Sequence, residues 1–220
     1  MKKLANALDK AIGWLIRRFL LVLIYLAFRP KISFVSENAR REALKTPTVI
    51  VSNHVRGMDG AVIAALLSPD RIHGMVAKDM YKNRVEAWLF RRLQCFPVDR
   101  QHLSMDWLRT GRAILTKEHD HVFICPEGRC NKAKVMRRFK PGAATLAVMC
   151  HAAILPIYHN GEYHYVFGKR FRCMVGEPIT LPADCTTDAQ ELEEITKRAE
   201  EAVRALEQQM LGFTRGVAED

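Results

Sequence analysis

The six cysteines of this chain (Cys95, Cys125, Cys130, Cys150, Cys173 and Cys185) include no CxxC pair, which removes the usual sequence sign of a zinc ribbon or a dithiol centre. Cys95, Cys125 and Cys150 lie in or beside apolar runs, so the six read as reduced, mostly buried thiols of a protein facing the cytosol. No GxSxG occurs, which argues against a nucleophile-elbow hydrolase. Helix-turn-helix and zinc-finger spacings are missing too, and the most basic segment carries one aromatic, Phe139, so nucleic acid is not an expected partner. Linkers, repeats and composition breaks are also lacking. With 220 residues, 49% of them hydrophobic, one domain with one substantial core is expected. The apolar run FLLVLIYLAF (19–28) has ten residues, whereas a spanning helix needs about twenty.

That run is what the N-terminus does have. It follows Lys10, Arg17 and Arg18 and a segment carrying Leu4, Leu8, Ile12, Trp14 and Leu15. A signal peptide is disfavoured, because Tyr25 is too bulky for the minus-three position of a cleavage after Ala27. The pattern suits an interfacial anchor over residues 1–30, with basic groups and Trp14 at the headgroups and residues 19–28 in one leaflet. A terminal helix packed on the protein's own core is the alternative. The net charge of +10 asks for an anionic partner such as a phospholipid surface, a phosphorylated substrate or an acidic carrier protein. The expected location is peripheral or monotopic, on the cytoplasmic face of the cell membrane.

After Pro30, short apolar runs alternate with amphipathic segments, the pattern of an α/β fold: one domain over 31–220, with a mixed, mostly parallel sheet flanked by helices. KISFVS, TVIVS, HGMVAK, CFPV, HVFIC and AILPIY are the expected strands. Helices are expected over 60–67, about 79–93, about 103–117, about 141–151 and along the C-terminal segment. In the second, Tyr81, Val85, Trp88, Leu89 and Leu93 recur at helical spacing and read as a core-facing stripe. In the last, Thr187 with Gln190 reads as a capping box, and Leu192, Ile195, Ala199, Ala202, Leu206 and Met210 as the buried stripe.

The stretch VSNHVRGMDG sets His54 five residues before Asp59. On a straight helix such residues point about 140° apart, so the pair meets only if the chain bends between them. If His54 leaves the carboxyl end of TVIVS, Gly57 turns the chain and Asp59 opens the next helix, then the carboxylate orients an imidazole base. The plainer reading is an N-cap Asp and a turn His. Asp99 with Arg100 follows CFPV, and Pro126, Glu127, Gly128 and Arg129 follow HVFIC, so three polar clusters leave carboxyl strand ends, the edge where open α/β sheets bind ligands. Taken singly, those clusters also suit a surface ion pair and a type I turn. Arg100 and Arg129 gain a purpose if a phosphate lies between them. Residues 129–140 carry six cations and no acid (Arg129, Lys132, Lys134, Arg137, Arg138, Lys140), either a solvated loop or a lip for anionic lipid. EHDH (118–121) lacks a recognisable metal spacing and reads as a solvated connection.

NHVRGMD, FPVDR, PEGR and ILPIY, in that order, resemble the four sequence blocks of the glycerolipid acyltransferase family that includes 1-acylglycerol-3-phosphate acyltransferases, and FKPGAATLA resembles the segment between the last two. The resemblance implies an α/β sheet flanked by helices, a membrane-anchoring N-terminal helix, and acyl transfer from acyl-CoA or acyl carrier protein to a lysophospholipid hydroxyl, with no metal and no cofactor beyond the donor. It implies His54 as base and Asp59 as its orienting acid, with Arg100, Glu127, Gly128 and Arg129 holding the acceptor and Asn53 fixing the loop. The third block departs from the family pattern: Cys125 stands where Phe is usual, and Arg129 follows Gly128 without an intervening Thr. A covalent route through Cys125 or Cys95, and a non-catalytic binder of anionic membrane, are the alternatives.

Overall fold

The fully apolar run TVIVS becomes β2 (Thr48–Ser52), buried along its whole length at the middle of a seven-stranded sheet. The computed structural model describes residues 2–99, 105–164, 168–213 and 215–216, with side chains from residue 8 onward. Ahead of β2 come helix α1 (Lys2–Phe28), β1 (Lys31–Phe34) and the short α2 (Glu37–Glu42). After it follow α3 (Asp59–Leu67), β3 (Ile72–Ala77), α4 (Arg84–Arg92), β4 (Phe96–Val98), α5 (Asp106–Ala113), β5 (His121–Ile124), α6 (Gly142–Cys150), β6 (Ala153–His159), β7 (Arg172–Val175) and α7 (Ala189–Leu211).

The strand order is β1-β7-β6-β2-β5-β3-β4. From β6 to β4 all neighbours are parallel, while β7 runs antiparallel to β6 and carries β1 beside it. Period-2 alternation sends Val49, Val51, Val122, Ile124 and Ile154 to one face, against Leu108 of α5, Leu146 and Ala147 of α6, and Ile195, Ala199, Val203 and Leu206 of α7. Ile50, Phe123, Leu155 and Ile157 face the other way, against Val62 and Ile63 of α3 and Ile24 and Phe28 of α1. The chain reaches β5 on one side of β2 and β6 on the other, so the carboxyl ends of β5, β2 and β6 lie side by side at the point where the winding reverses.

Several elements depart from the sequence expectations. β7, which the pattern did not signal, is a short strand between β1 and β6 with only Cys173 and Val175 buried. The segment expected as one helix over 79–93 divides into a 3₁₀ turn (Lys78–Tyr81) and α4, because Asn83 caps α4 by accepting the Val85 N–H at 2.9 Å. On α7 the cap is Asp188, whose side chain accepts from Gln190 N, while Glu191 reaches back to the Thr186 N–H and hydroxyl; Thr187 with Gln190 does not form the box. Val203, not Ala202, completes the buried stripe of α7.

At the N-terminus the helix continues well past the ten-residue run, and Leu8–Phe28 is long and apolar enough to cross a membrane by length and composition. Both of its arginines pair with Asp70: Arg17 Nε donates to it at 2.8 Å from a largely buried position, and the more exposed Arg18 pairs with the same carboxylate. Ile24 and Phe28 are buried in the core, while Leu8, Leu15, Phe19, Val22 and Leu26 are exposed. One face of α1 therefore packs on the domain and the opposite face is an open apolar stripe.

Candidate active site

β2 ends at Ser52, and Asn53 and His54 leave its carboxyl end. Asn53 clasps this edge to β6: its Nδ2 donates to the His159 carbonyl at 2.9 Å and its Oδ1 accepts the His159 N–H at 3.0 Å. The bend that follows is made by Asp59 itself. One of its oxygens, Oδ2, accepts the N–H groups of Val55 at 2.6 Å and Arg56 at 2.8 Å, and also His54 Nδ1 at 2.9 Å. Gly57, expected to turn the chain, has no positive φ, and a Cβ there would meet nothing within 4 Å. Asp59 is the first residue of α3, but the capping position is Met58, and the carboxylate points back to the loop and to His54.

The Asp59 carboxylate is fully buried and has further company. Its Oδ1 accepts the Tyr163 hydroxyl, and His159 Nε2 stands 3.6 Å from Oδ2 while bonding the Asn53 carbonyl at 3.1 Å. Burial opposes the charge on Asp59, but the His159 attraction and the hydrogen bonds of His54 and Tyr163 outweigh it, holding Asp59 far below the usual carboxylate range. Burial and the Asp59 charge push the Tyr163 hydroxyl far up, so it stays a donor. A carboxylate this firmly ionised fixes the proton of His54 on Nδ1 and leaves the Nε2 lone pair facing outward.

Glu127, at the end of β5, is 3% exposed. Its two oxygens accept the backbone N–H of His54 at 2.7 Å and of Arg137 at 2.9 Å, so it ties the His54 loop to the basic loop. Burial raises its pKa, and those two backbone donors oppose the rise. Gly128 adopts φ +76° in the turn closed by its N–H on the Cys125 carbonyl, with Lys140 packed where a Cβ would stand. Arg129 is exposed on that loop, and Lys134 is drawn to Glu162 at 2.8 Å. Arg100 lies outside the described residues; its neighbour Asp99 pairs with Lys78 at 3.3 Å.

Three residues of this site escaped the sequence reading. His159 follows the ILPIY block directly and Tyr163 comes four residues later, so the carboxyl-edge rule that pointed to the other blocks could have found this segment. Cys130 gave no such sign, yet its Sγ stands 3.2 Å from His54 Nε2. The thiols considered for a covalent role sit elsewhere: Cys125 Sγ faces the Asn53 carbonyl at 4.0 Å and burial raises it well above the thiol range, while Cys95 lies beside Gly74 and is pushed up to about 12 by burial. Away from this edge, His73, Glu118 and Asp120 bring three ligand atoms within 4.8 Å, but Asp120 is already bonded by Arg71 at 3.1 Å, so the EHDH segment is an ion-paired connection.

A sequence model of the acyltransferase family matches residues 31–160, more than half of the chain. The chain belongs to the acyltransferase family. This acyltransferase is 28% identical over 134 residues to the 1-acyl-sn-glycerol-3-phosphate acyltransferase of Bacillus subtilis (strain 168), covering 60% of the chain and 66% of that relative. Its identity to the protein of the same name from Streptococcus pneumoniae (strain ATCC BAA-255 / R6) is 23% over 164 residues, covering 73% and 61%. The chain thus spans just under two thirds of the length of both relatives. Among solved structures, the LPA acyltransferase PlsC of Thermotoga maritima shares the fold, with a TM-score of 0.60 at 17% identity over 98% of this acyltransferase and 100% of that chain.

Proposed function

We propose that this chain is a membrane-associated O-acyltransferase that moves a fatty acyl group from acyl carrier protein or acyl-CoA to the free hydroxyl of lysophosphatidic acid or a related lysophospholipid, in phospholipid biosynthesis. The observation that carries this reading is the two-sided placement of His54: Nδ1 on the buried Asp59 carboxylate, Nε2 turned the other way, toward the exposed Cys130 thiol at the sheet's carboxyl edge. Nε2 takes the acceptor's hydroxyl proton as its oxygen attacks the thioester carbonyl, and the collapsing tetrahedral adduct expels a thiolate, which regains that proton from the imidazolium. The exposed Arg129, carried by the Gly128 turn, is assigned to the acceptor's phosphate, and Arg100 is assigned to the same role from its sequence block. Asn53 and Glu127 hold the two loops in place. The α1 stripe supplies the membrane contact, on the cytoplasmic face, and the names of the two curated relatives support the choice of acceptor.

His54→Ala is expected to fold and to lose about 100- to 10,000-fold in turnover, the usual worth of a positioned base. Asp59→Asn removes the charge that fixes the tautomer and should lose activity too. Mass spectrometry of products from mixed lysophospholipids and both donor thioesters measures this, and near-wild-type turnover in either variant refutes the assignment.

A second reading rests on Cys130. Its Sγ, His54 Nε2 and Asp59 form a thiol–imidazole–carboxylate line, the geometry of a nucleophile that accepts the acyl group before the alcohol does. In that route the Cys130 sulfur attacks the donor carbonyl while its proton passes through His54 to the departing thiol, and the alcohol then displaces Cys130. A hydroxylamine-labile acyl group on the protein and an inactive Cys130→Ala variant favour this route; an active Cys130→Ala variant leaves the direct one.

A further inference from the structure

Helix α4 carries its apolar stripe on the wrong side for a soluble protein. Val85, Trp88 and Leu89 share one face by their i, i+3, i+4 spacing, and a core-facing role was the natural expectation. In the fold the buried point of α4 is Ala87, on the opposite side, and Val85, Trp88 and Leu89 are 71%, 41% and 38% exposed. Met80, in the turn before α4, is exposed as well. Exposed cations surround the stripe: Lys78, Lys82, Arg84 and Arg91, against two acids, Asp79 in the turn and Glu86 on α4.

This stripe adjoins α1. Arg92 joins the two helices: its guanidinium lies 4.7 Å from the centre of the Trp88 ring, it pairs with Asp9, and its carbonyl accepts from Arg17 Nη1 at 2.7 Å. Beyond that junction α1 turns its own outward stripe, from Leu8 through Leu15, Phe19 and Val22 to Leu26, to solvent. Each helix has one end on the side where β3 and β6 have their carboxyl ends. α1 ends at Phe28, whose ring stands edge-on 5.4 Å from Tyr163, the donor to Asp59, and the turn before α4 reaches Asp99 through Lys78.

We propose that α4 is a second in-plane membrane element, which seats Val85, Trp88 and Leu89 in the acyl boundary of an anionic phospholipid leaflet while its lysines and arginines meet the headgroups. This rests on the membrane-anchor reading of α1 and extends it. One helix lying in a surface leaves the protein free to roll about that helix; a second, neighbouring contact removes the freedom and fixes the crevice at a set height. The acceptor's chain then stays in the leaflet while its hydroxyl reaches His54. A bilayer is favoured over a protein partner by continuity with the α1 stripe and by the pairing of an apolar face with a cationic border.

The chain has three tryptophans, Trp14, Trp88 and Trp107, which allow a direct test on the full-length protein. Phosphatidylglycerol vesicles with brominated acyl chains are added to Trp14→Phe/Trp107→Phe, which keeps Trp88, and to Trp88→Phe/Trp107→Phe, which keeps Trp14. Quenching of Trp88 fluorescence by about twofold, as for an interfacial ring, is expected. Trp14 quenched with Trp88 unaffected overturns the role of α4 and leaves the anchor intact; neither quenched overturns the anchor reading along with it. Shielding of Trp88 by an acidic carrier protein and not by vesicles overturns the lipid assignment. With all tryptophans kept, Val85→Asp/Leu89→Asp should retain its circular dichroism and bind these vesicles about tenfold more weakly in sedimentation. Unchanged binding of that folded variant refutes the proposal independently of the tryptophan substitutions.

Discussion

At the scale of single residues, the site works through a division of labour among buried polar groups. Asp59 is held ionised by the nearby His159 and by four donors, and His54 turns its Nε2 away from that carboxylate. Cys130 stands at that lone pair, so in the direct route it must yield the place to the acceptor. N-ethylmaleimide is therefore expected to inactivate the wild type, and Cys130→Ala to stay active and resist it, in assays run before and after alkylation. A second residue links stability to pH. His121 is fully buried at the start of β5, neither ring nitrogen is hydrogen bonded, and burial, then the nearby Arg71, lower it from 6.5 to about 4. Its folded pKa is depressed, so the unfolded chain takes the proton first, and stability held above pH 6.5 drains away as pH falls toward 4. His121→Leu should remove about 2 kcal/mol of that loss, read from urea unfolding at pH 7 and pH 4.5. The Asp59 contribution is lost in a separate window, below the ordinary carboxylate value of 3.8.

At the scale of elements, the strands place chemistry and the helices choose sides. β5, β2 and β6 deliver Glu127, His54 and His159 to one edge because parallel neighbours end together. α7 seals the face away from α1, with Val203 and Leu206 in the core and Glu207 accepting the Tyr158 hydroxyl at 3.1 Å. Leu206→Ala should cost about 2 to 5 kcal/mol in chemical unfolding, the range for a leucine that leaves a cavity. A loss under about 1 kcal/mol would mean that α7 is not integral to the core. The strands were largely legible because their apolar runs are local signals. β7 was not, because a strand of only four residues is defined by its partners β6 and β1. The α4 stripe was legible as amphipathic, but its direction depends on which neighbour the helix leans against.

At the scale of the whole molecule, a charge of +10 and two outward apolar stripes act together. Attraction between exposed cations and an anionic surface falls off over about 10 Å at 0.1 M salt and about 3 Å at 1 M. Binding to phosphatidylglycerol vesicles should therefore weaken steeply between those salt concentrations without vanishing, because the apolar contribution remains; sedimentation across a salt series measures both parts. Binding indifferent to salt would remove charge from the account.

The sequence by itself determined the α/β class, the central buried strand and the order of the four blocks, and it raised the pairing of His54 with Asp59, which the structure then decided. Each is written in neighbouring residues: a β-branched run, a spacing of five, a turn at a strand end. Only the tertiary structure decided that Asp59, and not Gly57, makes the bend, that His159 and Tyr163 share its carboxylate, that Cys130 is the thiol reaching His54, and that α4 shows its apolar face to the outside. These depend on groups up to about a hundred residues apart in the chain meeting at one sheet edge, and no local pattern of side chains encodes such a meeting.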